Sequence, residues 1–284
     1  MFGRLGGRRS ARGRSLFSPR LLIALVIAGI SLFSYYAASS RNPVTDEVQH
    51  VSMSPEQEIA MGLQAAPKMA DQHGGLHSNR EAQELVDDIG NQLVSVSTLA
   101  GKTEYPFEFH VLADEQTINA FALPGGQVFV TAGLLGRLDS DGKIAGVLAH
   151  EIGHVIERHG AEHLAKAQLT QGLTGAAVIA AYDPDNPRSY QSAAVAMAIG
   201  QLVNMKFGRD DELEADRWGV RLTAEAGYDP RSMIGVMEVL AEASQGQKPP
   251  EFFSTHPDPG RRIERIEQAI RESFPDGIPE DLKP

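Results

Sequence analysis

The apolar and polar positions of the chain change rhythm several times. Residues 21–38, LLIALVIAGISLFSYYAA, run almost unbroken, interrupted by two serines and two tyrosines. Eighteen such residues are just enough to cross a bilayer as a helix. Polar residues 39–53 then read as a linker. Ser54-Pro55-Glu56-Gln57 opens a helix, with serine as cap, proline in the first turn and glutamine completing a capping box. Ser78 with Glu81 opens a second, which carries Leu85, Val86, Ile89 and Leu93 on one face. The rhythm then shortens to the two-residue alternation of strands. YPFEFHVLAD (105–114) is one; GGQVFVTAG (125–133), entered through Pro124-Gly125-Gly126, is another.

From Asp141 onward helical spacing returns. Asp141 caps a helix with Ile144, Val147, Leu148, Ile152, Val155 and Ile156 along it. Two Ala/Gly-rich stretches, 164–181 and 192–207, come next. Lys166, Gln168, Gln171, Gln201 and Asn204 interrupt them, which predicts an amphipathic or buried hairpin rather than membrane spans. A helix over 210–226 stops at Gly227, and Asp229-Pro230 and Asp258-Pro259 start the last two. The pattern gives a helix-dominated α+β body with a small sheet and no internal repeat.

Charge sharpens the reading of the N-terminus. The 284 residues carry a net −11, but Arg4, Arg8, Arg9, Arg12, Arg14 and Arg20 precede the apolar stretch with no acid among them. Residues 21–284 therefore sum to −17. Arginines before the apolar stretch and acids after it place the N-terminus in the cytoplasm and the body on the outer side of a membrane. Tyr35 and Tyr36 fall at the interface. The alternative is a signal peptide cut near Ala37-Ala38-Ser39, which a tyrosine three positions earlier suits poorly. The acidic body argues against nucleic acid as a partner. The absence of cysteine excludes disulfides, thiolate ligands and a cysteine nucleophile.

Candidate chemistry concentrates in VLAHEIGHVIERHGAEHL (147–164). His150-Glu151-x-x-His154 is H-E-x-x-H, and His159-x-x-Glu162-His163 is the inverted form. On a helix, residues four apart lie about 40° apart around the axis, so His150 and His154 project together and can fill two corners of a zinc tetrahedron. Glu151 flanks the metal and can deprotonate a bound water. In the inverted motif Gly160 directly follows His159 and is expected to end or bend the helix. His73 and His77 are separated by Gly74-Gly75 and read as loop residues; His50 and His110 lack partners at ligand spacing. A catalytic zinc needs a third ligand, and DDELEADRWG (210–219) offers one. Glu212 and Asp216 share a face while Glu214 points away, so one of the pair could bind metal and the other hold a ligand histidine.

NAFALPGGQVFVTAGLL (119–135), LAHEIGHVIERH (148–159), ELEADRWG (212–219) and STHPDPGRRIERI (254–266) occur in this order. Together they resemble the HtpX / CAAX-prenyl-protease family of zinc metallopeptidases, family forty-eight, of gluzincin type, over residues 54–272. The resemblance implies one Zn2+ per chain, with Glu212 as third ligand and Asp216 as the carboxylate behind a ligand histidine. It also places His256 and Arg262 at the cleft beside the oxyanion. His256 could alternatively fill the open zinc position in a resting state. The family lays its polypeptide substrate, extended, along an edge strand. Here that strand is expected in 125–133, through Gly126, Gln127, Val128 and Phe129, with Asn119, Ala120 and Phe121 leading into it.

The expected layout is a basic segment 1–20, a bilayer anchor 21–38, a linker 39–53, a peptidase domain 54–272 and a tail 273–284. Lacking the multiple spans and the repeat domain of some relatives, the chain looks closest to single-anchored envelope members that act in protein quality control. The competing class is a non-enzymatic, chaperone-like envelope protein that binds extended chains on the same edge strand.

Overall fold

The computed structural model describes residues 19–96, 99, 101–181, 208–245, 250–256 and 261–284. Its contacts group into two units: residues 1–34 with 167–203, and residues 35–166 with 204–284. Helix α1 (Pro19–Ala37), most of which belongs to the first unit, is long and apolar enough to cross a membrane, and 6% of its apolar window is buried. Within the same unit the second half of α6 (His159–Ala181) packs tightly on it. A Cβ on Gly172 would collide with the Ser31 side chain. The Ala/Gly-rich stretch over 164–181 is thus helical; its expected partner at 192–207 lies outside the described residues.

The second unit carries the core. Strands β1 (Ser39–Arg41) and β2 (Val48–His50) pair antiparallel ahead of α2 (Pro55–Gln72). Ser54 caps α2, and Gln57 returns the bond in a full capping box. Helix α3 (Arg80–Ser95) is capped by Asn79 rather than Ser78, one residue later than expected. Its apolar stripe of Val86, Ile89 and Leu93 is buried. Strands β3 (Glu108–Leu112), β4 (Ala120–Leu123) and β5 (Gln127–Thr131) form a sheet in the order β3-β5-β4. Short α4 (Ala132–Leu135) leads to α5 (Asp141–Ile156), which Ser140 caps in place of Asp141. Then come α6, α7 (Arg209–Glu225), α8 (Ser232–Ala243), α9 (Phe252–Thr255) and α10 (Arg262–Ser273). The expected tail is docked: Gly142 N–H donates to Pro284 O and Asp229 N–H to Lys283 O.

The sheet corrects one expectation. The strand over 127–131 is central, parallel to β3 on one side and antiparallel to β4 on the other, and all five of its residues are buried. With both backbone edges paired, Gln127, Val128 and Phe129 cannot accept a substrate strand. Gly126 is committed too, its carbonyl accepting Glu108 N–H. The outer edge of β3 is partly covered by Gln83, which donates to Phe109 O and accepts from Val111 N–H. The open edge belongs to β4, whose pattern (AFAL, short and free of β-branched residues) carries little strand signal. Thr131 N–H donates to Asn119 O, which sets the pairing phase. The backbone groups of Ala120 and Ala122 consequently face away from β5.

Helix α5 lies at the centre, with every residue from Gly142 to Ile156 but Lys143 buried. A helix apolar around its whole circumference belongs in a core. Its closest neighbour is α7. A Cβ on Gly153 would sit 3.0 Å from the Ala215 backbone and from Trp218, so a side chain there would push α5 and α7 apart by a few tenths of an ångström. That approach brings the His150/His154 face of α5 to the first turns of α7.

Candidate metal centre

Four donors converge where α5, α7 and α9 meet. One donor atom each from His150, His154, Glu212 and His256 lies within 4.8 Å of every other. A tetrahedral ion with bonds of about 2.0–2.1 Å holds its donors roughly 3.3–3.4 Å apart. Here His150 Nε2 and His154 Nε2 are 3.1 Å apart, with Glu212 Oε2 3.6 Å from the first and Glu212 Oε1 3.5 Å from the second. His256 Nδ1 is 3.4 Å from His150 Nε2 and 3.0 Å from Glu212 Oε1. These separations are close to the donor spacing that a tetrahedral ion imposes.

Charge makes the same demand. Glu151, Glu212 and Asp216 are buried, at 1%, 0% and 2% exposure, and among the described residues the guanidinium set beside them is that of Arg262. Burying three carboxylates beside one such cation leaves a deficit that a divalent ion would fill. Burial opposes ionisation of Glu212, but hydrogen bonds from His150 and His256 hold its carboxyl well below the usual range. Burial likewise opposes ionisation of Asp216, and the Arg262 charge overrides it, keeping the carboxyl low. At His150, burial and the Arg262 charge disfavour protonation. Its bonds to Asp216 and Glu212 prevail and push the imidazole up to about 9. The carboxylates draw positive charge to this spot. Burial, then the neighbouring histidines, drive His154 well below its ordinary value.

The residues around the donors fall into distinct roles. Asp216 Oδ1 is 3.0 Å from His150 Nδ1, and Arg262 grips the same carboxylate through Nε and Nη2, both at 2.8 Å. Arg262 Nη1 faces Glu212 Oε2 at 3.2 Å. The guanidinium therefore turns toward the carboxylates and His150, while its Nη1 makes no hydrogen bond among the described residues. Glu151 is the opposite case. Neither of its buried oxygens has a hydrogen-bond partner among the described residues, and His256 Nε2 stands 3.6 Å from Oε1. A buried carboxylate without a partner is costly and marks a place built for a reactant or water.

Of the residues expected along the substrate strand, Asn119 immediately precedes β4 and Ala120 and Phe121 open it, all three buried. Asn119 Nδ2 donates to Glu251 Oε1 next to α9, while its buried Oδ1 has no partner among the described residues. Phe121 stacks on Phe129 and joins Ala70 and Leu112 in a second apolar cluster.

The inverted motif does not form a second donor group among the described residues. The helix breaks at Arg158, whose φ is +56°, and α6 begins at His159; Gly160 lies inside α6 rather than ending α5. Sequence reasoning missed the contacts that this turn creates. His159 Nδ1 lies 2.9 Å from His154 Nδ1, and its Nε2 lies 3.2 Å from Glu214 Oε2. His163 pairs with Asp211 at 2.7 Å. Arg158, only 4% exposed, forms a buried pair with Glu58 of α2. The i, i+4 spacing of His159 and His163 was the available signal: both face the acidic first turns of α7.

Residues 80–270 match Peptidase family M48. The chain belongs to peptidase family M48. Among curated relatives of this M48 metallopeptidase, the beta-barrel assembly-enhancing protease of Yersinia pestis is 31% identical over 88% of this chain and 51% of its own length. The mitochondrial metalloendopeptidase OMA1 of Schizosaccharomyces pombe is 31% identical over 89% of this chain and 72% of its own. The Escherichia coli beta-barrel assembly-enhancing protease is 33% identical over 63% of the chain and 37% of its own. The M48 chain thus spans about half the length of the first bacterial relatives it matches. Membership of a peptidase family weighs against the non-enzymatic reading, and the donor cluster is the group of described residues that could hold a metal ion.

Proposed function

We propose that the chain is a zinc endopeptidase that cleaves polypeptides of a bacterial envelope, with His150, His154 and Glu212 as zinc ligands. Two imidazoles and a carboxylate, with the fourth position reserved, are the donor set of a catalytic zinc. The observation that carries the chemistry is Glu151, a buried carboxylate with both oxygens unpartnered beside those donors.

Zinc held there supplies a Lewis acid for a peptide carbonyl and lowers the pKa of an adjacent water. Glu151 takes the proton of the attacking water and passes it to the leaving amine nitrogen. Asp216 keeps the His150 ring oriented through Nδ1, and Arg262 holds Asp216 and balances its charge. In a resting state His256 Nδ1, 3.0 Å from Glu212 Oε1, would supply the fourth donor to a bound ion. Once displaced by substrate, its other nitrogen, on the Glu151 side, is placed to donate to the oxyanion. The substrate lies extended along β4, hydrogen-bonded to Ala120 and Ala122, which holds a backbone with little regard for its side chains.

The apolar α1 and the arginines ahead of it support a single anchor with the peptidase on the outer face of the membrane. Bacterial relatives whose name ties them to β-barrel assembly support envelope proteins as the substrate class. Digestion of an unfolded protein such as casein tests the reading. Cleavage should stop with chelator and return with zinc; chelator-insensitive binding without cleavage would contradict it.

A further inference from the structure

The two ligand histidines are backed in different ways. His150 presents Nδ1 to Asp216, the carboxylate commonly found behind a metal-binding imidazole. His154 instead presents Nδ1 to another imidazole, His159, at 2.9 Å, with the rings 5.0 Å apart and crossed at 70°. His159 is 2% exposed, whereas the Glu214 side chain on its far nitrogen is 33% exposed. Three features bring His159 here. Arg158 adopts a left-handed backbone that turns the chain directly after α5. Arg158 is fastened by Glu58, Ser40 Oγ and Met53 O. One α6 turn further on, His163 is held by Asp211.

The protons along this line have one consistent order. With Nε2 of His154 directed at the donor cluster, its ring proton sits on Nδ1 and is donated to His159 Nδ1. His159 must then carry its own proton on Nε2, where it donates to Glu214 Oε2. The acceptor at the far end fixes the tautomer of the middle ring, and the middle ring fixes the orientation of the ligand.

We propose that His159 is a positioning residue for the metal ligand His154, and that Glu214 sets the tautomer that lets it serve. The proposal rests on the zinc reading of the cluster. It gives the inverted H-x-x-E-H motif a purpose: its first histidine supports the metal site from behind, and its second staples α6 to α7.

The test is zinc affinity of the full-length, detergent-solubilised protein, measured by competition with a chromophoric chelator. Cobalt-substituted spectra and melting of the metal-free form are recorded alongside. His159→Phe fills the space without an acceptor and should weaken zinc binding about 10–100-fold and shift the cobalt bands. His159→Asn returns an acceptor near the Nδ1 position and should recover affinity to within about three-fold of wild type, an effect of packing alone being unable to give that rescue. Equal affinity of His159→Phe and wild type would overturn the proposal, as would an Asn variant no better than Phe. Should His159→Phe fail to fold, the partly exposed Glu214→Leu replaces it, with zinc binding weakened about 3–10-fold expected and unchanged affinity contradicting the proposal. A wild-type protein that takes up no zinc would overturn the metal reading itself, a result distinct from wild-type binding that the variants leave unchanged.

Discussion

Breaking the buried pair between Glu58 and Arg158 should have unequal consequences depending on which partner is removed. Arg158 Nε donates to Glu58 Oε1 at 2.9 Å, its Nη2 to Met53 O at 2.9 Å, and its Nη1 to Ser40 Oγ at 3.2 Å. Tyr105 donates to the other Glu58 oxygen at 2.9 Å. Arg158→Met strands a carboxylate that is 1% exposed, and removing one partner of such a pair costs about 3–5 kcal/mol. Methionine keeps a side chain in the left-handed backbone, so strain there is unchanged. Burial already pushes the Glu58 carboxyl up, against the pull of Arg158 and Tyr105. A glutamate with a raised folded-state pKa binds its proton more tightly when folded. Its contribution is therefore fully present below the ordinary value of 4.5 and is lost as pH rises through the higher folded value. Glu58→Gln makes the neutral form permanent, abolishes that pH dependence and costs less, about 1–3 kcal/mol. The double variant should cost less than the two singles together by about 1–3 kcal/mol. The assay is chemical unfolding read by Trp218, the chain's single tryptophan, which donates to Glu157 beside Arg158. Strict additivity, or an Arg158→Met cost under about 1 kcal/mol, would refute the reasoning.

The same geometry sets three other outcomes. Glu212→Gln removes a charged ligand and should weaken zinc binding at least about 100-fold by chelator competition, while the fold, read by circular dichroism, persists. Ala122→Pro deletes an outward N–H of β4 without touching the β4–β5 ladder, so KM for peptides should rise about 5–10-fold with zinc content unchanged. The Asp114 carboxyl is held down to about 2, chiefly by hydrogen bonding from Thr117, against partial desolvation. Its contribution is present above the ordinary aspartate value and disappears as pH falls through about 2. Asp114→Asn should thus destabilise by less than about 1 kcal/mol at neutral pH, the group being largely solvated, and by nothing in strong acid; unfolding curves at the two pH values check this.

Much of this site was legible because its signals are local. H-E-x-x-H on an apolar helix and E-x-x-x-D four residues apart each fix a shared face by helix geometry alone. The capping box at Ser54 and the stripe of α3 were readable for the same reason. The features that escaped depended on the register of distant segments. The sheet order could not be taken from GGQVFVTAG, since a short apolar strand reads alike at the centre or the edge, and β4 is too alanine-rich to announce itself. Gly160 drew attention as a breaker, yet the break falls on Arg158, whose unfavourable backbone is held by Glu58, a hundred residues earlier. His159 and Glu214 looked idle because their partnership exists only once α6 folds back against α7. Arg262 could be placed at the centre by motif, but its commitment to Asp216 is a matter of three-dimensional charge balance.

The central claim, a metal centre whose chemistry runs through Glu151, is tested most directly by one comparison. Zinc content and cleavage of an unfolded protein are measured together for the wild-type chain and Glu151→Gln. One zinc per chain is expected in both, with cleavage in the wild type and none in the variant. Cleavage by the zinc-loaded variant at the wild-type rate would contradict it.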